Sequence, residues 1–111
     1  MKLNELVESL YDLEDNDKPD VLIANSVDRE SLVRCFSNGT LVLNCTGPYR
    51  FLGEYCVSAC IEARTHYMDI CGEPQFMENM FYKYHSAAAE ANVLILHGML
   101  LLHTALHELL D

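Results

Sequence analysis

Basic residues are scarce in this chain: 7 Lys plus Arg stand against 17 Asp plus Glu, a formal net charge of −10. Such a balance is poor for gripping a phosphate backbone or an anionic lipid surface, so neither nucleic acid nor an anionic membrane is expected as a partner. Long apolar runs are missing too. The longest, residues 93–102, is interrupted by His97-Gly98 and falls short of the ~20 residues that a membrane-spanning helix requires. Met1-Lys2 leads into an amphipathic stretch with acids, so no signal peptide and no transmembrane segment are expected. The five cysteines are odd in number and irregularly spaced, which fits free thiols in a reducing compartment, with the cytoplasm as default. There is no Gly-x-Gly-x-x-Gly turn of the kind that cradles a pyrophosphate, and no internal repeat, linker or low-complexity tract.

What is present is ordinary globular composition, 50% hydrophobic and 22% charged, in 111 residues that allow one domain at most. Residues 2–14 place Leu3, Leu6, Val7, Leu10 and Leu13 on one helical face. The acidic run that follows, 14–20, reads as a solvated loop, since it lacks both the spacing and the glycine of a calcium loop. A buried-type strand is expected at 21–24, ending in Asn25-Ser26. A helix should start after Asp28 as N-cap, with Glu30 in its first turn, and stop at Asn38-Gly39.

The chain is organised around residues 40–74, TLVLNCTGPYRFLGEYCVSACIEARTHYMDICGEP. Leu41, Val42 and Leu43 form a second strand, followed by the turn Asn44-Cys45-Thr46-Gly47-Pro48-Tyr49. Gly47 can take backbone angles closed to other residues, and Pro48 withholds its N–H. Gly53 precedes Glu54, whose charge suits a helix start, and Val57, Cys60, Ile61 and Arg64 continue at helical spacing. A third strand at 66–70 ends in the polar turn 69–74, and a long helix at 75–91 carries Phe76, Met77, Met80, Phe81, Tyr84, Ala88 and Ala91 as a core-facing stripe. Residues 93–96 make a fourth strand. Helices alternating with short apolar strands imply an α/β fold with a parallel sheet and right-handed crossovers, whose ligands bind at the carboxyl ends of the strands.

The motif N-C-x-G-P-Y-R-F-x-G-E, then A-C-I-E, then H-Y-x-D-I-C-G-E-P-Q-F resembles the saccharopine dehydrogenase-like oxidoreductases from Asn44 to about Val93. The resemblance implies the second half of an N-terminal NAD(P)-binding Rossmann domain. Residues 1–97 would then be a partial Rossmann-like domain lacking its first β-α-β unit, with a three- or four-stranded parallel sheet flanked by helices. Residues 98–111 are expected to be a divergent apolar helical tail, because the family's glycine-rich continuation has no match there. In the Rossmann order 3-2-1-4-5-6 the strand at 21–24 would be separated from 41–44, leaving the edge of 41–44 unpaired or drawing 21–24 in to pair with it.

By the same resemblance, the Thr46-Gly47-Pro48-Tyr49 turn would sit beside the cofactor's ribose and nicotinamide, through backbone groups and the Thr46 hydroxyl. The alternative is a rigid connection and no more. Asn25 and Ser26 would contact adenine, or serve as ordinary turn and cap residues. Asp69, Glu73 and Gln75 flank the second turn and could orient substrate or cofactor; Glu73 could equally cap the long helix. His97, His103 and His107 read as surface residues of the tail, and Cys56 and Cys60 as core packing rather than a zinc site. No catalytic residue can be named and no bound metal is expected.

The intact relative is thus expected to bind NAD(P) and transfer hydride, while this chain alone binds no cofactor tightly. A non-catalytic truncated remnant, or a small interaction module that self-associates through the unpaired strand edge or the apolar tail, are the alternatives. Cytoplasmic location is the default, and the family's lipid-droplet and membrane associations are a further expectation.

Overall fold

A computed structural model of the chain describes residues 3–9 and 19–110. The element order is α1 (Leu3–Glu8), α2 (Arg29–Phe36), β1 (Leu41–Asn44), α3 (Tyr49–Ala63), β2 (His66–Asp69), α4 (Pro74–Ala91), β3 (Ile95–Leu96) and α5 (Met99–Leu110). The expected helix at 2–14 is thus seen as α1, and positions 10–14 lie outside the described residues.

Local chemistry sets most boundaries. Asp28 Oδ1 accepts the Ser31 N–H at 3.2 Å and opens α2 as its N-cap. The Asn38 amide donates to the Arg34 and Cys35 carbonyls and closes it. Helices α3 and α4 end alike, with Arg64 and Asn92 in the left-handed region at φ 54° and 59°. The next residue's N–H then bonds back, Thr65 to the Cys60 carbonyl and Val93 to that of Ala88. Pro74 occupies the first position of α4, where a missing N–H costs nothing.

The three strands form a parallel sheet in the order β1-β2-β3, with Leu41 opposite His66, Asn44 opposite Asp69, and Tyr67 opposite Ile95. Alternation sorts the side chains into two faces. Val42, Asn44, Tyr67, Asp69 and Ile95 look toward α3 and α4, where Val57, Cys60, Phe76 and Met80 complete the core. Leu41, Leu43, Met68 and Leu96 share the opposite face; the two β1 leucines are about half exposed, at 51% and 56%. The helices are packed closely enough that a Cβ on Gly53 of α3 would lie 2.4 Å from Phe76 Cζ of α4.

Several expectations are corrected. Residues 21–24 form no strand: their backbone makes no ladder with any described residue, and Ile23 is 97% exposed. A short apolar run becomes a strand only with a ladder to join, and among the described residues β1 pairs on its β2 side alone. Helix α3 starts at Tyr49, a full turn before Gly53-Glu54, so Gly53 is an interior position of close helix approach. The fourth expected strand shrinks to Ile95–Leu96. Within the stripe on α4, Phe76, Met80 and Ala88 are buried but Phe81 is largely exposed, because its side of the helix meets an open cleft.

Candidate functional site

The carboxyl edge of the sheet carries three loop starts, after Asn44, Asp69 and Leu96, and a continuous hydrogen-bond chain joins them. The Thr46 N–H donates to Asn44 Oδ1 at 3.0 Å. Asn44 Nδ2 donates to the Tyr67 hydroxyl at 3.2 Å, and that hydroxyl donates to Asp69 Oδ2 at 2.8 Å. Asp69 Oδ2 also meets His97 Nδ1 at 2.7 Å, while Oδ1 accepts the N–H groups of Cys71 and Gly98 at 3.0 and 2.9 Å.

Asp69 is fully buried, so its charge stands only because four donors surround it. Burial alone would raise its carboxyl; the bonds from His97, the Gly98 and Cys71 N–H groups and Tyr67 outweigh that and hold it below the usual range. Burial pushes the Tyr67 hydroxyl strongly upward, so it stays a donor. With Asp69 a carboxylate, the proton shared with His97 sits on Nδ1, and Nε2 is left as an acceptor when the ring is neutral.

A second tie joins the two predicted turns. Glu73 Oε1 accepts the Tyr49 N–H at 3.0 Å and Oε2 accepts the Arg50 N–H at 3.1 Å. Glu73 therefore caps α3, not α4, of which it is the N-cap residue without a side-chain cap bond. The second turn is closed by the Glu73 N–H donating to Cys71 Sγ at 3.2 Å.

Thr46, Gly47, Pro48 and Tyr49 fall together in the β1–α3 turn, with a cis peptide between Gly47 and Pro48. Gly47 does not have positive φ, and a Cβ there would make ordinary contacts at 3.9–4.0 Å with Tyr49, which removes the reason for requiring glycine. Tyr49 is buried with its hydroxyl donating to the Asn44 carbonyl at 2.8 Å. Of the turn's expected donors, the Thr46 and Tyr49 N–H groups are therefore engaged internally, and Thr46 itself is an exposed residue. Asn25 and Ser26 lie before α2, and the bonds of Asn25 are local: its N–H donates to Ser31 Oγ and its Oδ1 accepts the Val27 N–H. Gln75 is exposed at the start of α4.

His97 is the residue that reading the sequence misplaced. It directly follows β3, ahead of the tail helix, and is largely buried beside Asp69, Tyr67 and Phe76. A polar residue directly after an apolar strand, at the edge where Asn44 and Asp69 also lie, was the signal available for it. His107 is exposed on α5, and the side chain of His103 lies outside the described residues. Cys56 and Cys60 are core residues, their thiols pushed up by burial to about 11 and about 12.

Comparison with known families matches residues 6–96 to the saccharopine dehydrogenase NADP-binding domain. The chain belongs to that family. Saccharopine dehydrogenase-like oxidoreductases of Rattus norvegicus and Homo sapiens are 53% and 46% identical over 76 residues, covering 68% of this chain and 18% of each relative. A Caenorhabditis elegans relative named lipid droplet localized protein is 39% identical over 75 residues, again 68% of this chain and 18% of that one. The matched stretch thus spans under a fifth of the curated relatives' length. The saccharopine dehydrogenase NADP-binding domain is Rossmann-like, and this chain has a three-stranded parallel sheet flanked by helices. Its family is one of NADP-dependent oxidoreductases. Among the described residues no helix is long and apolar enough to cross a membrane, and no three His, Cys, Asp or Glu side chains group to hold a metal ion.

Proposed function

We propose that this chain supplies the nicotinamide side of an NADP site in a saccharopine dehydrogenase-like oxidoreductase, the remaining polypeptide supplying the pyrophosphate turn. The observation that carries this is the Glu73 clamp on the start of α3. A helix start normally attracts phosphate, but here a carboxylate already fills it and would repel a second anion. The turn therefore fits the uncharged part of the cofactor: the Thr46 hydroxyl and the backbone around Gly47 and Pro48 for ribose and carboxamide, with Tyr49 as the buried anchor. Asn25 and Ser26 would meet the adenine side. NADPH, when bound, supplies hydride; the residues named here bind and orient it, and the Glu73 clamp keeps the turn rigid. The isolated chain should accordingly show no saturable binding of NADPH at micromolar concentrations by titration calorimetry. A dissociation constant in the low micromolar range would overturn the division of the site. Cytoplasmic residence belongs to this reading, with attachment to lipid droplets as its variant; fluorescent tagging of the chain in cells tests both.

A second reading is favoured by the open edge of β1 and the exposed Leu41 and Leu43: a non-catalytic module that self-associates through that edge. Light scattering should then report a dimer that Leu43→Lys converts to monomer, and a wild-type monomer at all concentrations would reject it.

A further inference from the structure

Between α4 and β3 lies a cleft of about 320 Å³. Its walls are apolar, from Met80, Phe81, Ala88, Val93 and Ile95, and its two polar members are His85 and His97. His85 packs against Phe81 with ring centroids 4.8 Å apart and planes tilted by 39°.

His97 is different in kind, because its orientation is imposed. Asp69 holds Nδ1 at 2.7 Å, and edge contacts with Tyr67 and Phe76, at centroid distances of 5.7 and 5.4 Å, fix the ring plane. The other donors to Asp69, two backbone N–H groups and the Tyr67 hydroxyl, hold it as a carboxylate that accepts from His97. The neutral ring is thereby held as the Nδ1–H tautomer with a lone pair on Nε2. Among the described residues every sealed side-chain nitrogen and oxygen has a hydrogen-bond partner. Nε2 bonds to no described residue and is therefore not sealed, and the ring to which it belongs lines the cleft. A greasy cleft with one fixed acceptor at its wall has the character of a small-molecule site: area from the apolar groups, selectivity from the single polar contact.

We propose that this cleft binds a compact, largely apolar molecule bearing one hydroxyl donor, with that hydroxyl donating to Nε2 of His97. The cofactor reading is not needed for this; no residue of the Thr46 turn lines the cleft.

The discriminating probes are 4-propylphenol and 4-propylanisole, equal in shape but with the donor methylated in the second. Added to the full chain labelled with ¹⁵N-histidine, 4-propylphenol should shift the His97 Nε2 resonance in a saturable manner. It should bind about tenfold more tightly than 4-propylanisole, the value of one partly buried hydrogen bond. Ala89→Trp, at an exposed position of α4 that lines the cleft, should abolish the shift while the helical circular dichroism is kept. Equal affinity for the two probes, no saturation by either at millimolar concentration, or binding that leaves His97 Nε2 unmoved would each overturn the proposal.

Discussion

Glu73 and Tyr49 stand 24 residues apart in sequence, yet the carboxylate of the first accepts the backbone N–H of the second at 3.0 Å. With the Arg50 N–H on its other oxygen, Glu73 meets two of the unsatisfied donors at the start of α3 from within the next turn. The two motifs at the strand ends thus hold each other. Glu73→Ala should destabilise the fold by about 1–2 kcal/mol, the upper range for loss of a helix cap, and Glu73→Gln by less. Urea unfolding measures both; an unchanged midpoint for Glu73→Ala would mean the clamp contributes nothing.

Two glycines in the same motif should respond in opposite ways. Gly53→Ala drives a methyl into the Phe76 ring and is expected to cost about 1–3 kcal/mol, as overpacking does. Gly47→Ala meets only ordinary contacts and should stay within about 0.5 kcal/mol of the parent. Phe76→Leu should partly rescue Gly53→Ala, since it removes the clashing ring edge. Thermal melts of the three variants decide the matter.

The Asp69 carboxyl is held below its ordinary value in the folded chain. Its contribution is therefore complete above the ordinary carboxylate pKa of about 3.9 and is lost as the pH falls through the lower folded value. Asp69→Asn should remove that acid-side loss and destabilise the neutral-pH fold by about 3 kcal/mol, as breaking a buried charged network does. Denaturant titrations from pH 7 downward give both quantities, and an unaltered pH profile in the variant would contradict this assignment.

The thiols should separate by rate. Cys45 is exposed, whereas Cys56 and Cys60 are buried with their thiols pushed up to about 11 and about 12. A disulfide reagent at pH 8 should label Cys45 first and reach Cys56 and Cys60 only on unfolding. Peptide mapping after a short pulse checks the order.

Patterns within one element were legible in the sequence; relationships between elements were not. The Asp28 cap, the long helix expected at 75–91 and the parallel β-α-β alternation follow from short-range chemistry; the first and third are found, and the helix is found as Pro74–Ala91. Residues 21–24 have the composition of a strand, but pairing needs a partner edge, which composition does not encode. Glu73 before a helix reads as that helix's cap, and only the approach of α3 turns its carboxylate elsewhere. Read together with His103 and His107, His97 looks like a surface residue. Its true environment depends on Asp69, 28 residues earlier, lying on the neighbouring strand.

If β1 to β3, with their turns, are one half of an NADP site as proposed, the segment should work when grafted into a relative. A chimera tests it most directly, in which residues 41–96 of this chain replace the aligned stretch of the Rattus norvegicus relative. The account predicts that the chimera binds NADPH within about tenfold of the parent, a difference of ~1.4 kcal/mol, and that Glu73→Ala in the graft weakens binding further. A chimera that folds with the parent's stability and shows no saturable NADPH binding would contradict it.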